Sequence, residues 1–390
     1  MPEARIRILS SLSEIPAARW DACAAGGAGR PEPFVSHAFL SALEEARCVA
    51  AKTGWMPQHL VLDGTDGTPR AVAPAYLKSH SRGEYVFDQG WADAYQRAGG
   101  RYYPKVQVAV PFTPVTGRRL LLRDPADTEA RAALAGGLKE LVRLREASSA
   151  HVTFSTAEEW ESLAAQGFLQ RTDRQFHWTN TGYGSYDDFL GALASRKRKA
   201  LKKERREALA AGITIEWLTG RDLTEEAWDA FFAFYMDTGA RKWGSPYLNR
   251  AFFSLASERM ADRILLVMAR RAGRYIAGAL NFIGAETLYG RYWGAVEEHP
   301  FLHFEVCYHQ AIDFAIARGL KVVEAGAQGE HKLARGYLPA TTYSAHHIVH
   351  PGLRAAVAQY LEHERTYMEE DAAVLTDLGP FRRGGEAEHD

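Results

Sequence analysis

The chain has 390 residues, 46% hydrophobic and 24% charged, with a net charge of −1, an ordinary globular composition that excludes disorder and low complexity and has the length of two domains. Three cysteines, Cys23, Cys48 and Cys307, show no C-x-x-C spacing, which argues against a disulfide framework or a thiolate zinc site, and Cys307 reads as core of an apolar helix. No apolar run approaches bilayer length and Met1 to Ser10 lacks the apolar core of a signal peptide, so the expected compartment is the cytoplasm, with peripheral contact to the inner membrane face left open.

From Gln58 to Gly90 the pattern is strand, Asp-Gly turn, strand, polar break, strand, the last over "YVFDQG". After "KVQVAVPFTP" (Lys105 to Pro114) comes a basic turn, "TGRR" (Thr116 to Arg119). A helical run from Asp127 to Glu146 leads into the strand-like "AHVTF", then the helix "TAEEWESLAAQG" and the strand "FLQRTDRQFHWTN".

A helical insert follows the break at Asn180 to Gly184. Ser185 and Asp188 form a capping box, and one helix is expected from there to a stop at Gly212. It carries "SRKRKALKKERR" (Ser195 to Arg206), eight basic residues against one Glu, which is either a solvated face or an anion site for a cofactor phosphate, a tRNA or a lipid surface. Thr224 caps a second helix and a third begins near Asn249.

From Arg263 to Ala295 three strands are separated by Gly turns. A helix from His303 to Leu320 stops at Gly319, and a short strand spans Lys321 to Glu324. The next stretch, "EAGAQGEHKLARGYLP", packs Gly326, Gly329 and Gly336 among Glu330, His331, Lys332 and Arg335. Glycines let backbone approach a ligand closely, and the charged groups bring proton transfer and anion binding. Leu353 to Val374 reads as a terminal helix before a frayed tail. Both halves thus show meander, helix, strand: an α+β fold of two similar units, with expected domains at 1–180, 181–260 (the insert) and 261–380 and a flexible tail at 381–390.

This duplicated pattern resembles the GNAT acyltransferase fold, and specifically its Fem-type branch of peptidyl- and aminoacyltransferases. The likeness rests on "HAFLSALEE" (His37 to Glu45), "RYIAGALNF" (Arg274 to Phe282) and "AIDFAIARGL", with Lys332 and Gly336 at the places of the lysine-containing glycine-rich loop that closes the second Fem unit. Over most of its length the chain also looks like a bacterial family of N-acyltransferases labelled as peptidoglycan biosynthesis or recognition proteins. The shared phrases are "YLKSHSRGEYVFDQGWADAY", "VPFTPVTGRRLL", "SRKRKALKKERR", "RKWGSPYL" and "GRYWG". The resemblance implies two tandem GNAT-like units and an acyl-thioester co-substrate, acyl-CoA or acyl carrier protein, with no permanently bound cofactor. The chain departs from the GNAT phosphate motif: "VEEHPFLHFE" (Val296 to Glu305) is acidic and lacks its glycines. Gly117, Arg118 and Arg119 are the alternative phosphate holders, with Lys332 and Arg335 as further anion contacts; a plain basic turn explains the first three equally well.

Acyl transfer to an amine needs a base, donors for an oxyanion and a positioned ester or thioester. The base candidates are His303 and Glu305 at the start of the helix, and Glu330 and His331 in the glycine-rich loop. Arg291 and Trp293 alternate onto one face of a strand, and Arg241, Trp243, Lys78, His80, Glu84 and Asp88 add anion and aromatic contacts for substrate. The "HHIVH" run splits its imidazoles between strand faces, so no metal is expected. The leading expectation is transfer from a thioester to a primary amine, a small molecule or a lipid-like amine such as a sphingoid base (ceramide formation). Aminoacyl-tRNA-dependent transfer to a peptidoglycan precursor is the second, and non-catalytic recognition the third.

Overall fold

The apolar strands of each half cannot bury both faces alone, and in the computed structural model each half covers its sheet with helices. Residues 5–27, 29–243, 246–326 and 329–382 are described; the side chains of Arg241, Trp243 and Glu330, and the expected tail from 383 onward, lie outside the described residues. Two compact units emerge: Met1–Asp173, Tyr247–Ala256 and Thr341–Glu369 form one, and Arg174–Pro246, Ser257–Ala340 and Glu370–Asp390 the other. These are non-contiguous, where the sequence reading used contiguous stretches.

The first unit opens with β1 (Ile6–Leu9), α1 (Ala17–Ala25) and α2 (His37–Glu45), the last capped by Ser36, whose Oγ accepts from Phe39 N at 3.2 Å. Strands β2 (Trp55–Pro57) and β3 (His59–Asp63) meet at Gln58, and β4 (Pro69–Ala73) and β5 (Ala75–Lys78) meet at Pro74. Proline cannot donate to a ladder, so the strand bends there. The segment expected as a strand over Tyr85–Gly90 is instead a loop leading into α3 (Gln89–Arg97): Gly83 and Tyr85 take positive φ (81° and 60°), which breaks a ladder. The meander is completed by β6 (Lys105–Val108). After β7 (Leu121–Leu122), α4 (Thr128–Leu144) crosses to β8 (Ser149–Ser155), which lies parallel to β6. Leu134, Leu138 and Leu141 of α4 are spaced to face one way and pack on Leu60, Val106 and Val152. Each such leucine contributes about 1.5–3 kcal/mol. Helix α5 (Ala157–Ala165) follows.

Strand β9 (Leu169–Thr179) carries the chain into the second unit. The expected single helix from Tyr186 to Gly212 is two, α6 (Tyr186–Gly191) and α7 (Ser195–Ala208). The break is fixed by tertiary pairing: Ala194 N donates to Pro380 O at 3.0 Å and Leu193 bridges Phe381, which ties down the start of the expected tail. Then come β10 (Ile213–Leu218), α8 (Glu225–Trp243) and α9 (Arg250–Met260). Strands β11 (Ile264–Arg271), β12 (Arg274–Ile283) and β13 (Thr287–Ala295) form the second antiparallel meander. The following helix is interrupted: α10 (Leu302–Phe304) and α11 (Gln310–Ala317) flank a π-helical turn over Glu305–His309. Strand β14 (Val322–Glu324) then lies parallel to β13 and antiparallel to β9. Strand β15 (Leu338–Ile348) returns to pair with β8, and α12 (Pro351–Asp377) closes the chain. Each unit therefore repeats a meander, a crossover helix and a parallel strand. No described helix is long and apolar enough to cross a membrane.

Candidate active site

Strands β13 and β14 pair only from Thr287↔Val322 to Tyr289↔Glu324, after which β14 ends while β13 continues to Ala295. Backbone groups past that point part company, and a cavity of about 110 Å3 opens. Its walls come from β12 (Ala279, Asn281), β13 (Gly290 to Trp293), the interrupted helix (His303, Cys307, Tyr308) and Ala325. The β12–β13 register shifts between Leu280↔Tyr292 and Asn281↔Gly290, so Arg291 is a bulged extra residue. Bulges re-aim side chains next to functional sites, and π-turns in helices often mark them. Both devices border this one cavity.

Of the expected bases, the structure brings His303 and His331 together. Their rings lie 6.3 Å apart, and His303 packs edge-on to Trp293 at 5.1 Å. Between them stands Tyr308, whose Oη is 2.9 Å from His331 Nε2. Burial pushes the Tyr308 phenol well up, so it keeps its proton and is able to donate it to Nε2 in the His331 tautomer that leaves that nitrogen bare. Glu305 is a correction. Its buried carboxylate faces α7, where it accepts from Arg205 at 2.8 and 3.0 Å and from Gln310 at 2.7 Å. A carboxylate so engaged is a structural ion pair rather than a base.

Lys332 and Arg335 part ways. Lys332 is buried, its Nζ donates to Gly326 O at 2.8 Å, and burial, reinforced by the charge of Arg291, pulls its ammonium down to about 7. It is not among the residues that line the cavity, although Arg291, whose charge it feels, is. Arg291 itself donates to Glu324 Oε2 at 3.2 Å and to Gly290 O at 2.8 Å. Arg335, expected to meet an anion of the substrate, gives its fork to Glu204 at 2.8 and 2.6 Å and lies 3.4 Å over the Phe304 ring. Glu204 and Arg205 are thus the inward members of the basic helix, while Arg196, Lys197, Lys199, Lys202 and Lys203 are exposed.

The expected phosphate turn is filled from within the chain. The Arg119 guanidinium, buried, donates to Thr153 O at 2.9 Å, to Gly117 O and Arg118 O at 3.1 Å, and to Val115 O. The backbone N–H groups of Arg119 and Leu120, those suited to a phosphate, donate to the Glu159 carboxylate at 2.8–3.0 Å. Arg118 turns to Ala24 O. The backbone of Arg119 and Leu120 therefore forms an internal carboxylate nest, and Gly117, Arg118 and Arg119 are all engaged within the chain.

In the first unit Lys78, Glu84 and Asp88 belong to a buried polar cluster. Lys105 Nζ donates to Glu84 at 2.6 Å, to Ser81 Oγ at 2.8 Å and to Asp88, which also accepts from Tyr102 Oη at 2.7 Å. Lys78 lies 3.5 Å over the Trp55 ring, donates to Arg82 O at 3.1 Å, and is pulled down to about 7 by burial. His80 uses Nε2 on Thr53 O at 3.0 Å and Nδ1 on Arg82 N at 3.1 Å. These contacts knit a loop together. Of the "HHIVH" imidazoles, His346 pairs with His151 at 2.8 Å while His347 faces Phe168 on the other side.

Sequence reasoning missed four residues here. Tyr308 and Cys307 read as core positions of an apolar helix, because a 3.6-residue period does not anticipate the π-turn that rotates them toward the cavity. Asn281 is one polar residue in an apolar strand, a signal that was available. Gly290 carries no side chain to notice, and the Cβ of any other residue there would lie 3.2 Å from Asn281 Oδ1.

A family model described as FemAB-like, peptidoglycan biosynthesis/recognition, matches residues 11–383. The crystal structure of FemX superposes with a TM-score of 0.55 at 14% identity, covering 88% of this chain and 98% of that one. The C-terminal domain of a provisionally assigned lysylphosphatidylglycerol synthetase from Agrobacterium fabrum gives 0.54 at 10%, covering 90% and 97%. A conserved protein of unknown function from Bacteroides thetaiotaomicron gives 0.53 at 13%, covering 89% and 100%. At these identities the likeness shows the fold, two tandem GNAT-like units. No curated protein matches. With nearly its whole length matched, the chain belongs to the FemAB-like family of peptidoglycan biosynthesis/recognition proteins.

Proposed function

We propose that the second unit is the transfer centre of an aminoacyltransferase of cell-wall assembly, which moves an aminoacyl group from the ester at the end of a charged tRNA to a primary amine of a peptidoglycan precursor. The observation that carries this reading is the 2.9 Å contact of Tyr308 Oη with His331 Nε2 at the cavity where β13 and β14 splay. The acceptor amine attacks the ester carbonyl, an N–C bond forms and the C–O bond to the ribose breaks. The proton leaving the amine passes to Tyr308 as Tyr308 gives its own to His331, and returns to the departing ribose oxygen. The charge of Lys332, which does not line the cavity, favours the oxyanion of the tetrahedral intermediate through space and without contact.

Family membership supports the cell-wall form of this reaction over acylation of a sphingoid base from a thioester. So does the connection from β13 to α10, which carries Glu297 and Glu298 and no glycine-rich backbone for a thioester donor's pyrophosphate, Glu297 being engaged by Arg271 and His299. The exposed lysines and arginines of α7 supply a surface for the tRNA backbone.

The experiment supplies purified protein with radiolabelled aminoacyl-tRNAs and amine-bearing muropeptide precursors, and in parallel with acyl-CoAs and a panel of amines that includes sphingoid bases. Label moving from tRNA to muropeptide, with binding that weakens steeply as salt rises, supports the proposal. Thiol release with acyl-CoA and no transfer from tRNA would overturn it in favour of a thioester N-acyltransferase.

A further inference from the structure

The cavity contains one group that none of the contacts above explains. Asn281 is 1% exposed, lines the cavity, and among the described residues its Oδ1 meets no hydrogen-bond donor. Its orientation is set by its surroundings: Nδ2 donates to Leu265 O at 3.4 Å on the neighbouring strand and to Ala279 O at 3.3 Å on its own. Both partners are carbonyls, which only the NH2 end can satisfy, so Oδ1 turns toward the cavity. A buried acceptor without a donor is unfavourable, and a ligand that brings an N–H or O–H relieves that cost.

Space and charge narrow that ligand. Gly290 and Ala325 border the same volume: a Cβ on Gly290 would lie 3.2 Å from Asn281 Oδ1 and 3.8 Å from the Ala325 backbone. Gly290 does not have a positive φ, so its glycine serves clearance rather than backbone shape. A space of about 110 Å3 is smaller than a benzene-sized cavity of about 150 Å3, so the part of a ligand that it encloses is a few heavy atoms. Arg291 on the wall is paired with Glu324 at 3.2 Å, so its charge is balanced, and the acceptor is an amide oxygen, which takes an N–H from an amine in either charge state.

Resting on the aminoacyl-transfer reading above, we propose that Asn281 is the specificity residue for the transferred group: its Oδ1 accepts a hydrogen bond from the free α-amine of a small aminoacyl donor, and Gly290 keeps the space for it. The pocket then rejects a plain acyl group of the same size, which fills the space and leaves Oδ1 unpaired.

The test uses stable amide mimics of the charged tRNA end, 3′-alanylamino-3′-deoxyadenosine and its 3′-propionylamino counterpart, which differ by the α-amine alone. Titration calorimetry on the whole protein is expected to show the alanyl compound binding at least about tenfold tighter. Asn281→Leu is expected to abolish the difference with propionyl binding retained, and Gly290→Ala to weaken both, each variant being checked for an unchanged melting transition. If Asn281→Leu does not fold, comparing the two mimics on the unaltered protein still decides the matter. Equal affinity of the two mimics would overturn the role of Asn281 and leave the transfer reading standing. Binding of neither, by protein that releases thiol from acyl-CoA, would overturn both.

Discussion

Glu204 of the basic helix accepts both prongs of Arg335, at 2.8 and 2.6 Å, and His309 Nε2 at 2.7 Å, so one carboxylate fastens α7 to both the glycine-rich loop and the π-turn. All three side chains are nearly buried. Removing the carboxylate leaves a buried guanidinium without its partner, which costs roughly 3–5 kcal/mol. Glu204→Gln is therefore expected to lower the denaturant midpoint sharply, and Glu204→Gln with Arg335→Met to recover much of the loss. The measurement is a double-mutant cycle by urea unfolding, and additive losses would refute the coupling. Burial alone would raise the Glu204 carboxyl, but the hydrogen bonds from His309 and Arg335 outweigh it and hold it low. Its contribution is thus present at neutral pH and is lost as pH falls below about 4.

Lys332 works in the opposite sense. Its ammonium is pulled down to about 7, while the unfolded chain holds that proton to about 10.4. Between those values the unfolded state binds more protons, so this group's cost is complete below pH 7 and fades as pH rises toward 10. Lys332→Met is expected to stabilise the protein by about 2–4 kcal/mol at pH 6 and by less at pH 9, while transfer falls. Because the charged form favours the oxyanion through space, activity should decline as pH rises through 7, and Lys332→Arg should remove that limb. Unfolding curves and kcat profiles over pH 5–10 check both; a Met variant less stable at every pH would sink the assignment.

The Tyr308–His331 contact predicts a rate effect without a folding effect. Tyr308→Phe keeps the ring and its packing on Tyr337 but removes the relayed proton. A general base and its relay contribute about 10²–10⁴-fold, so kcat should fall by at least about a hundredfold, with a similar fall in His331→Ala and little further loss when the two are combined. Independent, multiplicative losses would show that the residues act separately.

Much of the architecture was legible because it is written in periodicity: the capped starts at Ser185, Thr224 and Asn249, the meander from Arg263 to Ala295, and the stop at Gly319 all follow local rules. The break between α6 and α7 was not, since it depends on Phe381 and Pro380, nearly two hundred residues away. At the site, His303, His331, Arg291 and Trp293 could be picked out as chemistry-bearing residues near a glycine-rich loop. Glu305 and Arg335 carry equally suitable chemistry, and only the fold reveals that Arg205 and Glu204 have engaged them. Charge is visible in a sequence, but its partner is not. Conversely, Tyr308 and Asn281 look ordinary until a π-turn and a bulge aim them into one cavity.

The nest at Arg119 yields a last prediction, which separates structural from ligand-binding use of a basic turn. Glu159 is fully buried and binds the backbone N–H groups of Arg119 and Leu120 from α5, while Arg119 reaches back over the carbonyls of Val115, Gly117 and Thr153. Burial pushes the Glu159 carboxyl up, although the two N–H groups pull the other way. Glu159→Ala strands two buried donors and opens a gap, and each stranded donor costs about 1–3 kcal/mol, so a loss near 3–5 kcal/mol is expected. Arg118→Ala, which gives up the contact with Ala24 O, should cost much less. If the turn held a donor's phosphates instead, Arg118→Ala would weaken binding of tRNA or acyl-CoA several-fold with stability intact, and Glu159→Ala would strengthen it by freeing the amides. Thermal unfolding and donor titration on the two variants distinguish the cases: stability should respond to Glu159, and affinity to neither.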